Sequence, residues 1–177
     1  MKFKSEAEMS KCFRNFFVPK AKNAGIYWVE ELEGLFGVPD YVFLKLAGES
    51  VLYVVALELK LRNWKREPRQ AFKYRNFSNE SYLVLDKPHV AAAYKNIDEF
   101  KRANIGLATL HKSGKLEVIF VPRPTIPFSL DFSYRMLQKY YKRTTNLFPK
   151  NLKELPSLVF HRSLRGRVMF QALMPRA

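Results

Sequence analysis

The chain has 177 residues, of which 47% are hydrophobic and 15% aromatic, so it can bury the core of an ordinary single domain and is not expected to be disordered. Its formal net charge of +15 exceeds what solubility requires, which favours nucleic acid as a partner over an acidic membrane surface. The single cysteine, Cys12, excludes an internal disulfide framework. No apolar run reaches transmembrane length and the charged first residues do not resemble a secretion signal, so we predict a cytoplasmic protein with no membrane partner.

The first predicted element is a helix from about Glu6 to about Phe17. Ser5 and Glu8 have the spacing of a capping box. Apolar residues then recur at helical spacing, at Met9, Cys12, Phe13, Phe16 and Phe17. Glu8 has a structural role as the cap partner, whereas Glu6 falls closer to the apolar face and is placed to lean toward a sheet. Alternatively, both acids only favour the positive end of the helix.

A strand is predicted from Ile26 to Val29, and it leads into a cluster of acids that is unusual in so basic a chain. The cluster consists of Glu30, Glu31 and Glu33. Glu31 and Glu33 share a face of an extended chain. These acids either bind a metal ion together with carboxylates elsewhere in the chain or solvate the end of the strand. The second is the commoner use of charge at a strand end.

A β-hairpin follows. Asp40 opens an apolar run that ends at Leu46, a turn rich in Gly and Ser comes next, and a second apolar run extends from Val51 to Lys60. Side chains alternate between the two faces of a strand, so Glu58 and Lys60 project from the same face. A carboxylate and an ammonium on a strand that is otherwise apolar need a chemical explanation, because buried charge is costly unless it is paired or holds a metal.

The later elements extend the pattern. A basic loop leads to a helix that starts near Pro68, a short strand runs from Tyr82 to Asp86, and helical segments occupy about 88–102. A closing hairpin is predicted over 105–121. From Glu6 to Asp86 the predicted elements therefore follow the order helix, strand, strand, strand, helix, strand. Because a strand, helix, strand connection joins parallel strands, we predict an α/β fold with a mixed central β-sheet flanked by helices.

The segment from Val121 to Pro127 is rich in proline and is the one clear break in composition. We therefore divide the chain into a domain at 1–124 and a basic, mainly helical C-terminal extension at 125–177. From residue 131 onward, ten Lys or Arg oppose only Asp131 and Glu154. We interpret the extension either as an element that positions DNA or as the arm of a homodimer.

The hairpin predicts a site for a hard cation. Asp40 at the start of one strand and Glu58 near the end of its antiparallel neighbour can converge on one point. Two carboxylates, together with water and phosphate oxygens, suit Mg²⁺. Lys60 would stand beside the ion, where a fixed positive charge orients an attacking water or stabilises the charge that develops on a phosphate.

These residues resemble a known group of enzymes. Gly37-Val-Pro-Asp40 with Glu58-Leu-Lys60 is similar to the PD-(D/E)xK nuclease superfamily, which includes restriction endonucleases, Holliday junction resolvases and RecB-like nucleases. The predicted order of elements matches the αβββαβ core of that superfamily. Gln70 and Tyr74 share a face of the following helix and resemble the Gln-x-x-x-Tyr element of RecB-like members.

The resemblance implies a metal-dependent DNA endonuclease that hydrolyses phosphodiester bonds with a metal-activated water, in repair, recombination or restriction. Asp40, Glu58 and the backbone carbonyl of Leu59 would bind Mg²⁺, with Mn²⁺ as its substitute, and Lys60 would position the water. Gln70 would assist at the same site. Many of these nucleases carry a helical glutamate as an extra ligand, for which the candidate here is Glu6, with Glu8 or the pair Glu31 and Glu33 as alternatives.

The basic loop and helix after the second strand of the hairpin are predicted to contact phosphates. The predicted nucleic-acid contacts are Arg62, Lys65, Arg66, Arg69, Lys73, Tyr74 and Arg75. Two other functions stay open at this point, a non-catalytic nucleic-acid-binding protein that keeps the fold and an RNA-directed nuclease. Binding without catalysis would show as salt-sensitive affinity for DNA with no product when divalent ions are added.

Overall fold

The computed structural model describes residues 2–32, 37–47, 50–62 and 64–143. Their strands form one six-stranded sheet in which spatial order follows chain order. The strands are β1 (Ile26–Glu30), β2 (Tyr41–Ala47), β3 (Ser50–Lys60), β4 (Glu80–Asp86), β5 (Gly106–Leu110) and β6 (Leu116–Phe120). The first three pair antiparallel, β3, β4 and β5 pair parallel, and β6 returns antiparallel to β5. The predicted mixed sheet is confirmed.

Helices cover both faces of this sheet. They are α1 (Glu6–Asn23), α2 (Glu67–Tyr74), α3 (Val90–Lys95), α4 (Ile97–Ala103) and α5 (Leu130–Arg143). Helix α1 buries an apolar stripe against one face, where Phe13 packs with Phe43 of β2 and belongs to the same cluster as Leu57 and Leu59 of β3. The other four helices cover the opposite face, with α5 over the first strands and α3 and α4 over β4 and β5. Among the described helices, none is long and apolar enough to cross a membrane.

Helix α1 is longer than the sequence predicted, since it continues past Phe17 to Asn23 with Pro19 inside it. Proline removes one backbone hydrogen bond and usually ends a helix. Here the helix continues because Phe17 and Ala21, on either side of the proline, are both buried against the sheet. Tertiary packing therefore offsets the lost hydrogen bond.

The predicted cap is present at the start of α1. The Ser5 hydroxyl accepts a hydrogen bond from the backbone N–H of Glu8 at 3.1 Å. The Glu8 carboxylate in turn accepts one from the backbone N–H of Lys4 at 2.6 Å and pairs with Lys112 at 2.7 Å. Both oxygens of Glu8 are thus engaged, one at the residue before the helix and the other with Lys112 in the loop after β5.

Hydrogen bonds hold the proline-rich segment to the body of the fold. The Thr125 N–H donates to the carbonyl of Asn79 at 3.2 Å, and the side chain of Asn104 makes two hydrogen bonds of 2.7 Å to the backbone of Arg123. Helix α5 then places Met136, Leu137 and Tyr140 in a buried cluster with residues of β2 and β3. The described part of the predicted extension therefore shares its core with the sheet, whereas 144–177 lies outside the described residues.

Candidate active site

The register of the β2–β3 hairpin brings two acids together at one end of the sheet. Tyr41 pairs with Leu57 and successive pairs follow without interruption as far as Lys45, so the same antiparallel register carries Asp40 opposite Glu58. The Asp40 carboxylate accepts a hydrogen bond of 2.6 Å from the backbone N–H of Leu59. The convergence that alternation along two strands predicts is therefore present in the fold.

Glu58 is buried, with 2% of its surface exposed, and donors surround its carboxylate. Oε2 accepts a 2.7 Å hydrogen bond from the Tyr74 hydroxyl, and Oε1 accepts one of 3.2 Å from Gln70 Nε2. Lys60 Nζ lies 3.2 Å from Oε1. Gln70 also donates to the Tyr74 hydroxyl at 2.7 Å. Because Gln70 and Tyr74 are one helical turn apart on α2, the helix presents both to one carboxylate.

The electrostatics of the site differ from those of a simple ion pair. Burial, with the charge of Asp40 adding to it, raises the pKa of Glu58 to about 7, although Tyr74 and Lys60 oppose the rise. Burial also raises the pKa of Asp40 despite the Leu59 N–H. Burial acts against the Lys60 ammonium, but the surrounding carboxylates outweigh it and raise its pKa. Two acids with raised pKa values beside a charged lysine form a site where an added cation would stabilise the ionised acids.

Among the other candidate acids, the fold brings Glu6 to the site and leaves Glu8 outside it. Glu6 Oε2 lies 3.5 Å from Lys60 Nζ, and the charge of Glu6 also acts on Asp40. Glu8 is engaged at the helix cap. Glu31 is exposed and follows β1, and its N–H donates to the Asp40 carbonyl at 3.0 Å while its charge raises the pKa of the Asp40 carboxyl. Glu33 lies outside the described residues.

The donors at the site fit a hard divalent cation. Within the described ranges, no group of three or more His, Cys, Asp or Glu converges closely enough to hold a metal ion by itself. The local set is two carboxylates, Asp40 and Glu58, and a peptide: since the N–H of Leu59 points to Asp40, its carbonyl faces the same edge of the strand. Mg²⁺ is commonly held by one or two carboxylates, with waters and substrate phosphates completing its shell. A small all-oxygen set of this kind suits Mg²⁺ or Mn²⁺.

The predicted nucleic-acid contacts divide into two groups. The side chains of Arg62, Lys65, Arg66, Arg69 and Lys73 are exposed on the loop and helix after β3. Tyr74 and Arg75, also predicted as nucleic-acid contacts, are buried and lie apart from these exposed cations. The helical period turns both inward, so that Tyr74 bonds Glu58 while the Arg75 guanidinium donates to the Ala103 carbonyl at 3.0 Å and the Thr125 hydroxyl at 3.1 Å.

One residue of the Gly37-Val-Pro-Asp40 motif received no role from the sequence. Gly37 has φ +121°, a conformation that favours glycine. A β-carbon there would lie 3.7 Å from both the Gln70 amide and the Tyr74 ring, so Gly37 packs directly over the two residues that hold Glu58. The only signal in the sequence is a glycine just before the Val-Pro-Asp40 segment.

Comparison with known proteins adds the fold and no function. The chain matches no known family profile and no curated protein. Among solved structures it is similar to the SPO1766 protein of unknown function from Silicibacter pomeroyi, with 14% sequence identity and a TM-score of 0.54. The match covers 77% of this chain and 86% of that chain. At that identity the likeness concerns the fold alone.

Proposed function

We propose that this chain is a metal-dependent endonuclease with a restriction-endonuclease-like core, which hydrolyses phosphodiester bonds in DNA during repair, recombination or restriction. The observation that carries the proposal is the meeting of Asp40, Glu58 and Lys60 at the end of the β2–β3 hairpin, with Lys60 Nζ 3.2 Å from Glu58 and Asp40 bonded to the Leu59 peptide. The order α1, β1, β2, β3, α2, β4 supports it, because it is the order of the αβββαβ core.

Each residue of the site has a role in that reaction. Asp40, Glu58 and the Leu59 carbonyl would hold Mg²⁺ or Mn²⁺. When bound, the ion would supply Lewis-acid chemistry, polarising the phosphodiester and lowering the pKa of a nearby water. Lys60 stays protonated among its acids, so it offers a fixed N–H donor that orients the attacking water or opposes charge on the phosphate.

The surrounding residues position the acids. Tyr74 and Gln70 donate to different oxygens of Glu58, which fixes the plane of its carboxylate. Glu6, about half exposed, reaches Lys60 from α1 and closes the side of the site opposite α2. Lys60 itself is 23% exposed, so the site opens to solvent at the ends of the strands although Glu58 is buried. A substrate phosphate can therefore approach past Lys60.

The charge distribution supports nucleic acid as the substrate. The exposed cations that follow β3 lie on the same loop and helix that present Gln70 to Glu58. They are Arg62, Lys65, Arg66, Arg69 and Lys73. Phosphate contacts from arginine and lysine position a nucleic acid without reading its sequence. The net charge of +15 provides the long-range attraction.

The test is cleavage by the full-length protein of a labelled panel containing a four-way junction, a flap, a linear duplex, a single strand and an RNA strand. Products are expected with Mg²⁺ and with Mn²⁺, and none with EDTA. Asp40→Asn should abolish cleavage and retain binding, while Asp98→Asn, which changes an exposed acid on α4, should cleave normally. Salt-sensitive binding without product in either metal would refute the nuclease proposal in favour of a binding protein, and cleavage of RNA alone would refute its DNA substrate.

A further inference from the structure

Two large aromatic side chains lie next to each other on the surface of this basic protein. Phe72 on α2 is 42% exposed, and Phe128, just before α5, is 52% exposed. Their ring centroids are 5.6 Å apart. Exposed apolar residues scattered singly are ordinary, whereas these two rings are in contact and present a joint aromatic surface. We call these two rings the aromatic pair.

The aromatic pair packs against the buried side chain of Arg75. The Arg75 guanidinium carbon lies 4.4 Å from the Phe128 centroid and 5.7 Å from that of Phe72. That guanidinium is fixed by its hydrogen bonds to the carbonyl of Ala103 and the hydroxyl of Thr125. The backbone N–H of Phe128 donates to the carbonyl of Arg75 at 3.0 Å. A ligand that stacks on these rings would therefore lose little of its affinity to ordering the protein.

Cations flank the aromatic pair, and the helix that carries Phe72 also borders the candidate active site. Arg69 and Lys73 are exposed on α2; Arg69 shares a face with Phe72 at i,i+3, and Lys73 follows Phe72 directly in the chain. Gln70, which bonds Glu58, lies two residues before Phe72 and therefore on another face of the same helix. A helix is about 10–12 Å across, and a stacked strand advances about 3.4 Å per nucleotide. A strand that passes over α2 from the active site would therefore reach the rings after about three nucleotides.

We propose that Phe72 and Phe128 form a stacking site for unpaired bases of a single-stranded nucleic acid, with Arg69 and Lys73 contacting the phosphates between this site and the scissile bond. This inference rests on the proposed function and specifies its substrate as nucleic acid with a single-stranded segment. Exposed aromatic rings in a basic groove bind single strands because every unpaired base has a face to stack. The bases of a duplex are already stacked on one another, so the aromatic pair gains nothing from them.

The experiment measures binding separately from cleavage. Fluorescence anisotropy in EDTA gives the affinity of the full-length protein for a labelled single strand and for the matching duplex, over a series of salt concentrations. The double variant Phe72→Leu/Phe128→Leu should bind the single strand about tenfold more weakly. Its duplex affinity and the salt dependence should be unchanged, since the cations remain. Phe72→Tyr/Phe128→Tyr keeps both rings and should keep the affinity.

A matched control is Tyr94→Leu, which removes another exposed ring, 61% exposed on α3, outside the aromatic pair. It should not change either affinity. Equal losses for single strand and duplex, or an unchanged single-strand affinity in the leucine variant, would overturn the stacking site. Light scattering gives the oligomeric state of the Phe72→Leu/Phe128→Leu variant. A change in that state would also overturn the stacking site, because the rings would then contact a second copy of the chain. Cleavage assays test the nuclease proposal independently. If the wild type cleaves and the leucine double variant binds the single strand normally, only the stacking site is refuted.

Discussion

Replacing the central acid of the site should make the metal-free protein more stable. Glu58 has a pKa of about 7 in the fold, against 4.5 for an ordinary glutamate, because it is buried and lies near Asp40. A group whose pKa is raised by folding binds more protons in the folded state, so its stabilising contribution is present at low pH and is lost as the pH rises through about 7. Ionised Glu58 therefore costs stability in the absence of a cation.

The size of this effect follows from the shift. At about 1.4 kcal/mol per pKa unit, ionisation of Glu58 should remove about 2–3 kcal/mol of unfolding free energy between about pH 5 and about pH 8. Glu58→Gln imitates the protonated acid at every pH. In EDTA we expect the variant to match the wild type near pH 5 and to be more stable by about 2–3 kcal/mol near pH 8.

Urea denaturation at a series of pH values measures this difference. Glu117→Gln is the control, because hydrogen bonds from Lys87, Lys115 and His111 lower the pKa of Glu117 to about 2. The stability that ionised Glu117 contributes is lost only as the pH falls toward that value. The substitution should therefore shift the plot of unfolding free energy against pH without changing its slope above about pH 5. Mg²⁺ should then stabilise the wild type at pH 8 more than Glu58→Gln. If Glu58→Gln were the less stable protein at pH 8 in EDTA, the reasoning about a strained buried acid would be refuted.

Three further predictions test the contacts of the site and the core. Tyr74→Phe removes a hydroxyl that donates to the buried carboxylate, so the acid limb of the cleavage profile should move up by about one to two pH units; an unmoved profile would contradict this. Gly106→Ala would place a β-carbon 2.0 Å from the ring of Tyr82 and should lower the unfolding free energy by about 1–3 kcal/mol in urea, so wild-type stability would refute the close packing. Glu6→Gln should reduce cleavage and leave the melting temperature unchanged, whereas Glu8→Gln should lower the melting temperature and leave cleavage unchanged; the reverse pattern would exchange their roles.

Part of this site could be read from the chain because the relevant rules are local. Alternation along a strand places Glu58 and Lys60 on one face, and a short turn forces the two strands of the hairpin to pair, which brings Asp40 to the same end. Helical spacing likewise puts Gln70 and Tyr74 on one face of α2. The nuclease reaction itself stays a prediction, since a fold can host many chemistries and similarity in fold does not establish one.

Other features depend on which surface each element buries, and no local pattern contains that information. The capping-box spacing distinguishes Glu8 from Glu6, but only the docking of α1 on the sheet shows that Glu6 reaches Lys60. Arg75 resembles its exposed basic neighbours, yet packing of the proline-rich segment buries it. The sequence therefore determined the elements and the charges that each one carries, because periodicity and turn chemistry act over a few residues. The tertiary structure decided which of those charges meet, because contacts between distant segments are set by how the whole core packs.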